Sequence, residues 1–300
     1  MEPWIFLSVA AAAFQTLRFM LQKSLSMGTL SAGGATFARF FYAAPFAFAL
    51  AAGYIALRGA GVPALSGRFW VFALCGGLAQ ILATWCVVVL FTRRNFAVGI
   101  TFKKTEVIQT ALVGLLVLGD RVSAAGLAAI VAGLAGVLVL SDRPGLAGGW
   151  VPRLWNRASG LGLASGALFA ISAVAYRGAT LEVASADAFL RAAVSVSTVT
   201  LMQTACMAAW LARREPGQLA RVWAARGRAV WMGVTGMAGS LCWFTAFTLQ
   251  NAAYVFAVGQ VEVIFSLLAS VLVFRERILA RELAGIALLS ASIVLLVLLG

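Results

Sequence analysis

The 300-residue sequence contains no histidine. That removes imidazole metal centres, imidazole general bases and Ser-His-Asp triads. Charge is scarce: Asp, Glu, Lys and Arg make up 11% of the chain, where a soluble globular protein carries about 25%. Disorder is excluded as well, because it needs low hydrophobicity and high charge, and this chain is 62% hydrophobic with a mean hydropathy of +0.97. The four cysteines, Cys75, Cys86, Cys206 and Cys242, form no CxxC pair and lie in apolar runs. They read as small buried hydrophobes, not as a disulfide frame or a metal site. No Walker A, GxGxxG, HExxH or zinc-type spacing occurs, so ATP hydrolysis is not expected as an energy source and no cofactor or metal is implied. The residues before Trp4 include no basic n-region, so the first apolar segment is expected to be retained and not cleaved.

What remains is an all-α integral membrane protein. Crossings of about 20 residues are expected near residues 3–25, 33–57, 69–92, 97–118, 123–141, 158–180, 185–212, 229–249, 252–274 and 281–299. The long run from Ala229 to Val261 is divided by Gln250 and Asn251. The only sizeable loops are about 142–157 and 213–228, each with proline and several arginines.

The excess of 23 Lys+Arg over 10 Asp+Glu gives +13. Nucleic acid is not the expected partner, because no soluble basic segment is long enough to bind it. Basic residues instead gather in cytoplasmic loops beside anionic lipid. The side holding both termini carries Arg58, Arg68, Arg121 and Arg177, whereas fourteen basic residues from Lys23 to Arg281 fall on the other. By that count both termini face away from the cytoplasm.

The chain also repeats itself. Glu106 and Glu262, Asp120 and Glu276, Asn95 and Asn251, and Cys86 and Cys242 are each 156 residues apart. Phe91-Thr92 matches Phe247-Thr248 at the same offset, and Phe14 aligns with Phe169 and Arg39 with Arg191 after a short deletion. Residues 1–141 and 158–300 therefore read as two copies of one five-helix unit, joined by a loop at 142–157. An odd number of crossings per unit inverts the second copy, an arrangement used by transporters with a site near the midplane.

The repeat, the length and the stretch from Glu262 to Glu276 resemble the EamA branch of the drug/metabolite transporter superfamily. In that family two acids stand 14 residues apart in the fourth and ninth helices, as do Glu106 and Asp120, and Glu262 and Glu276, here. Val107 and Val263 stand where the family usually has proline, so a helix break at those places lacks its usual cause. The resemblance implies a ten-helix secondary carrier with a central cavity and cytoplasmic termini, the opposite of the charge count. It also implies transport, often export, of amino acids, other metabolites, drugs, nucleotide sugars or phosphorylated sugars, in the cell (inner) membrane.

Ionisable groups at membrane depth are costly and mostly face a cavity or a partner. Glu106 and Glu262 occupy equivalent places and are expected either to flank a central cavity or to be neutralised by a neighbouring cation. Lys103 shares a helix face with Glu106. With Lys104 it is placed to bind a substrate carboxylate or phosphate, or else to snorkel to the interface. Gly259 and Gln260 stand at the equivalent positions, so Gln260 joins an asymmetric site. Gln15, Arg18 and Gln22 form one polar stripe, with Arg18 lining the cavity or pairing with a glutamate. Tyr176 and Trp243 are candidate substrate contacts among aromatics and hydroxyls, with close helix packing as the plainer reading. Arg39 and Arg191 are expected to anchor or gate. Asp120 and Glu276 are expected to brace hairpins.

The function read from these residues is a secondary or exchange transporter, working by alternating access on a small polar or amphipathic metabolite. Amino acids, other zwitterions or organic anions are favoured, with export expected. Protons are one coupling partner, beside solute exchange and facilitated diffusion. Export of cationic drugs or polyamines, a flippase-like lipid role and an intramembrane enzyme are the competing readings. The chain is expected to work as a monomer or homodimer in the lipid bilayer.

Overall fold

In the computed structural model, residues 2–26, 28, 30–59, 61–91, 103–141, 157–265, 268 and 280–299 are described. Eleven helices run through them: α1 (Pro3–Ser26), α2 (Ala32–Arg58), α3 (Gly67–Phe91), α4 (Glu106–Leu118), α5 (Ala124–Ser141), α6 (Arg157–Leu181), α7 (Ala188–Arg214), α8 (Gln218–Ala224), α9 (Arg226–Leu249), α10 (Ala252–Gly259) and α11 (Ala280–Leu299). A helix satisfies its backbone groups within one segment, as a chain in lipid requires where no water is there to bond them. Six of these helices, α1, α2, α3, α6, α7 and α9, are long and apolar enough to cross a membrane. Four further apolar helices are shorter, over Glu106–Leu118, Ala124–Val139, Ala252–Phe265 and Leu283–Leu298. The seven-residue α8 lies inside the segment expected to be a loop.

Local chemistry sets the helix ends. Ser31 accepts the Gly34 N–H and caps α2, which stops at Gly59 in a left-handed conformation (φ 59°). Asp187 accepts the N–H groups of Phe189 and Leu190 and caps α7, and Asn251 accepts that of Ala253 and caps α10. Within the helices Ser8, Thr16, Thr36 and Thr245 donate to the carbonyl four residues earlier, which keeps their hydroxyls satisfied without water.

The main packing joins the two halves of the sequence. α1 lies along α9, α3 along α6, α2 against α7 and α5 against α11; α4 packs on α6, and α10 on α1 and α4. Exchanging α1–α5 with α6, α7, α9, α10 and α11 maps this set of contacts onto itself. Small residues permit the closest approaches. A Cβ on Gly233 of α9 would fall 2.5 Å from the backbone of Tyr42 in α2. Large apolar side chains such as Leu57, Val71, Leu116 and Leu298 are exposed, as they are on a surface covered by lipid.

Candidate functional site

A two-residue turn precedes each of the two glutamates Glu106 and Glu262. Residues 104–105 form a turn and α4 starts at Glu106; residues 260–261 form a turn and helix resumes at Glu262. The two turns are separated by the same 156 residues as the glutamates. The breaks occur although Val107 and Val263 replace the expected prolines. A helix start presents unbonded N–H groups, which favour a carboxylate there. Gly166 of α6 makes room for the first break, since a Cβ there would lie 3.0 Å from the Lys103 carbonyl oxygen. Trp243 covers the second: its ring would meet a Cβ on Gly259 at 2.3 Å.

Each glutamate holds a lysine. Lys103 Nζ is 2.9 Å from Glu106 Oε1, with the two side chains 3% and 5% exposed. Lys104 Nζ is 3.0 Å from Glu262 Oε2, at 5% and 12% exposed. Gln15 of α1 donates to the same Glu262 oxygen at 2.9 Å. Each glutamate thus has an ammonium within 3.0 Å, and both lysines are buried. Lys103 also lies over the Phe169 ring, 4.8 Å from its centre.

These residues enclose a small cavity. Gln15, Lys103, Glu106, Gln260 and Glu262 give it a polar wall, and Phe169, Trp243 and Phe256 an apolar one. Its volume is about 10 Å³, room for a single water, so the site is closed around itself. Among the described residues two buried polar atoms at it lack partners: the Trp243 Nε1 donor and the Gln260 Oε1 acceptor. Gln260 bonds instead through Nε2 to the Phe256 carbonyl. Trp243 is held by stacking on Phe247 and an edge contact with Phe256. A donor and an acceptor left open in an apolar setting are places for a ligand's complementary groups.

Other expected site residues lie elsewhere. Tyr176 sits between α3, α6 and α7, where its hydroxyl donates to Gln80 and accepts from Gln203. It does not line the cavity. Arg191 donates to the Thr180 carbonyl at 2.7 Å, a cation at the C-terminal end of α6. Arg18 and Arg39 are buried and close together, Arg18 bonded to Gln22 and Arg39 to Thr84. Asp120 braces its hairpin as expected, through Arg177, at 2.7 Å. Glu276, Asn95 and residues 92–102 lie outside the described residues. Sequence reasoning gave Gln15 only as part of a stripe. Its bond to Glu262 spans 247 residues, and no local pattern announces it. No group of His, Cys, Asp and Glu able to hold a metal occurs among the described residues.

The fold and its buried charged centre define a multi-pass helical membrane protein. Residues 157–298, a little under half the chain, match the EamA-like transporter family. One solved crystal structure shares the fold over 99% of this chain and 96% of its own, with a TM-score of 0.72 at 16% identity. No curated protein matches the sequence.

Proposed function

We propose that this protein is a secondary carrier for a small polar or amphipathic metabolite, working by alternating access between two inverted five-helix repeats. The observation that carries the reading is the pair of turns at 104–105 and 260–261, each followed by a glutamate at one cavity. The symmetric exchange of helix contacts supports the repeats at 1–141 and 158–300, and with them ten crossings. A carrier needs a site that can be closed from both sides, and a cavity with room for one water is such a closed form. Opening requires the halves to separate at the Lys104–Glu262 bridge, because that pair ties the α4 break to the α10 break.

An amino acid, another zwitterion or an organic anion suits this site. A substrate carboxylate can replace a glutamate on Lys103 or Lys104, and an ammonium can replace the lysine on Glu262, so each ion pair opened is remade. The apolar wall of Phe169, Trp243 and Phe256 takes the rest of the molecule. Export across the cell membrane is the direction in keeping with this reading. Purified protein in vesicles loaded with unlabelled amino acids should accumulate the labelled solute by counterflow. A panel of amino acids, dicarboxylates and polyamines identifies the class, and movement of polyamines alone would reverse the charge assignment.

A further inference from the structure

Arg18 of α1 and Arg39 of α2 are 2% and 5% exposed, and neither belongs to the cavity wall. Their arms converge on one point of α9. A Cβ on Gly236 would lie 3.3 Å from Arg18 Cδ and 3.6 Å from Arg39 Cγ. Among the described residues no Asp or Glu pairs with either guanidinium. Arg18 donates through Nη1 to Gln22 and rests on the Phe19 ring, while its buried Nη2 has no partner among the described residues. Arg39 donates to Thr84 at 2.9 Å and lies over the Phe40 ring. Among the described residues the two guanidinium groups are thus held at membrane depth by neutral acceptors and aromatic faces, with the Glu262 carboxylate acting on Arg18 only from beyond ion-pair distance. That is costly unless an anion completes the site.

The position fits a route. Arg18 follows Gln15, the Glu262 partner, by three residues on α1, so it stands about 4.5 Å further along the axis toward the Lys23 end. Phe19 separates the two places, with Arg18 4.1 Å and Lys103 6.0 Å from its ring centre. The repeat does not explain the pair: the place equivalent to Arg18 is Ala173, and Arg191, equivalent to Arg39, is bonded to the Thr180 carbonyl.

We infer that Arg18 and Arg39 form an oxyanion-binding site at Gly236, one helical turn from the cavity on the basic side of the membrane. Planar guanidinium forks suit a carboxylate or a phosphate. The oxyanion comes from the carried solute or from free phosphate. The first source rests on the carrier reading; binding itself does not.

The test is thermal melting of the full-length protein in detergent, in acetate, inorganic phosphate or chloride at equal ionic strength. Wild type should melt about 3 °C higher in acetate or phosphate than in chloride. The rise should vanish in Arg18→Met and Arg39→Met, which remove an unpaired buried cation and so should melt no lower than wild type in chloride. Arg39→Lys keeps the charge without the fork and should keep less than half of the rise, which covers the case of a Met variant that fails to fold. Exposed Arg68→Met should respond as wild type does. A larger rise in acetate assigns a solute carboxylate, and a larger one in phosphate assigns a phosphate. No rise over chloride, or an equal rise in every variant, overturns the site. If vesicle assays show solute movement without this anion response, only the oxyanion site falls. If the anion response stands without solute movement, only the carrier reading falls.

Discussion

Lys104 and Glu262, 158 residues apart in sequence, form an ion pair at 3.0 Å that fastens one broken helix to the other. Removing one partner of a buried pair leaves the other charged without compensation, at about 3–5 kcal/mol. Lys104→Met should therefore destabilise strongly. Adding Glu262→Gln should recover most of the loss. A double-mutant cycle by thermal or denaturant unfolding measures the coupling, and additive losses would show that the pair contributes nothing of its own.

The edge of the Trp243 ring, at Cη2, points at Gly259, and the ring is fixed by Phe247 and Phe256. Gly259→Ala should force the ring into the cavity and cost about 1–3 kcal/mol through overpacking. Solute counterflow should fall with it, and adding Trp243→Leu should restore both. Full activity in Gly259→Ala alone would mean that Trp243 is free to swing away.

Arg177 joins three elements. It bonds the Asp120 carboxylate and the carbonyls of Phe247 and Gln250 at the end of α9. Arg177→Met leaves a carboxylate and two carbonyls in a partly buried place, and should destabilise by about 2–4 kcal/mol. Counterflow per folded molecule should stay near the wild-type value, which separates a brace from a substrate contact.

Asp187 gives the pH prediction. The Tyr54 hydroxyl, at 2.6 Å, and the N–H groups at the start of α7 hold its carboxyl below the usual carboxylate range. A depressed folded value contributes stability above the unfolded pKa of about 3.9 and loses it as the pH falls through the folded value. Asp187→Ala should cost about 1 kcal/mol at neutral pH through loss of the cap. Asp187→Asn keeps the cap and should differ from wild type at neutral pH but match it once the carboxyl is protonated in acid. A difference that persists unchanged into strong acid contradicts the ionic contribution.

Hydropathy made the long helices legible, because apolar runs near 20 residues have few other fates. Gln250 and Asn251 gave the division between α9 and α10 for the same reason: Asn251 is a cap. Lys103 with Glu106 was readable from a spacing of three on one helix face. Lys104 with Glu262 was not, because spacing within a helix says nothing about a partner on another. Proline was the wrong signal for the breaks. They form beside charged groups, at Lys104-Thr105 and at Gln260-Val261, without it. Tyr176 read as a candidate substrate contact among aromatics and hydroxyls, with close packing as the plainer reading; its hydroxyl partners Gln80 and Gln203 lie on other helices, which no local pattern announces. The α8 helix escaped notice because its seven residues sit among arginines in a segment with no apolar run of its own.

The central claim is that solute passes through the cavity between Glu106 and Glu262. Counterflow of a labelled amino acid into vesicles, compared for wild type and Glu262→Gln at equal amounts of folded protein, tests it most directly. The account predicts wild-type accumulation that falls at least about tenfold in the variant, the equivalent of 1.4 kcal/mol in binding or barrier. Accumulation at the wild-type rate in Glu262→Gln would place the route elsewhere and leave the buried pair as a structural fastening.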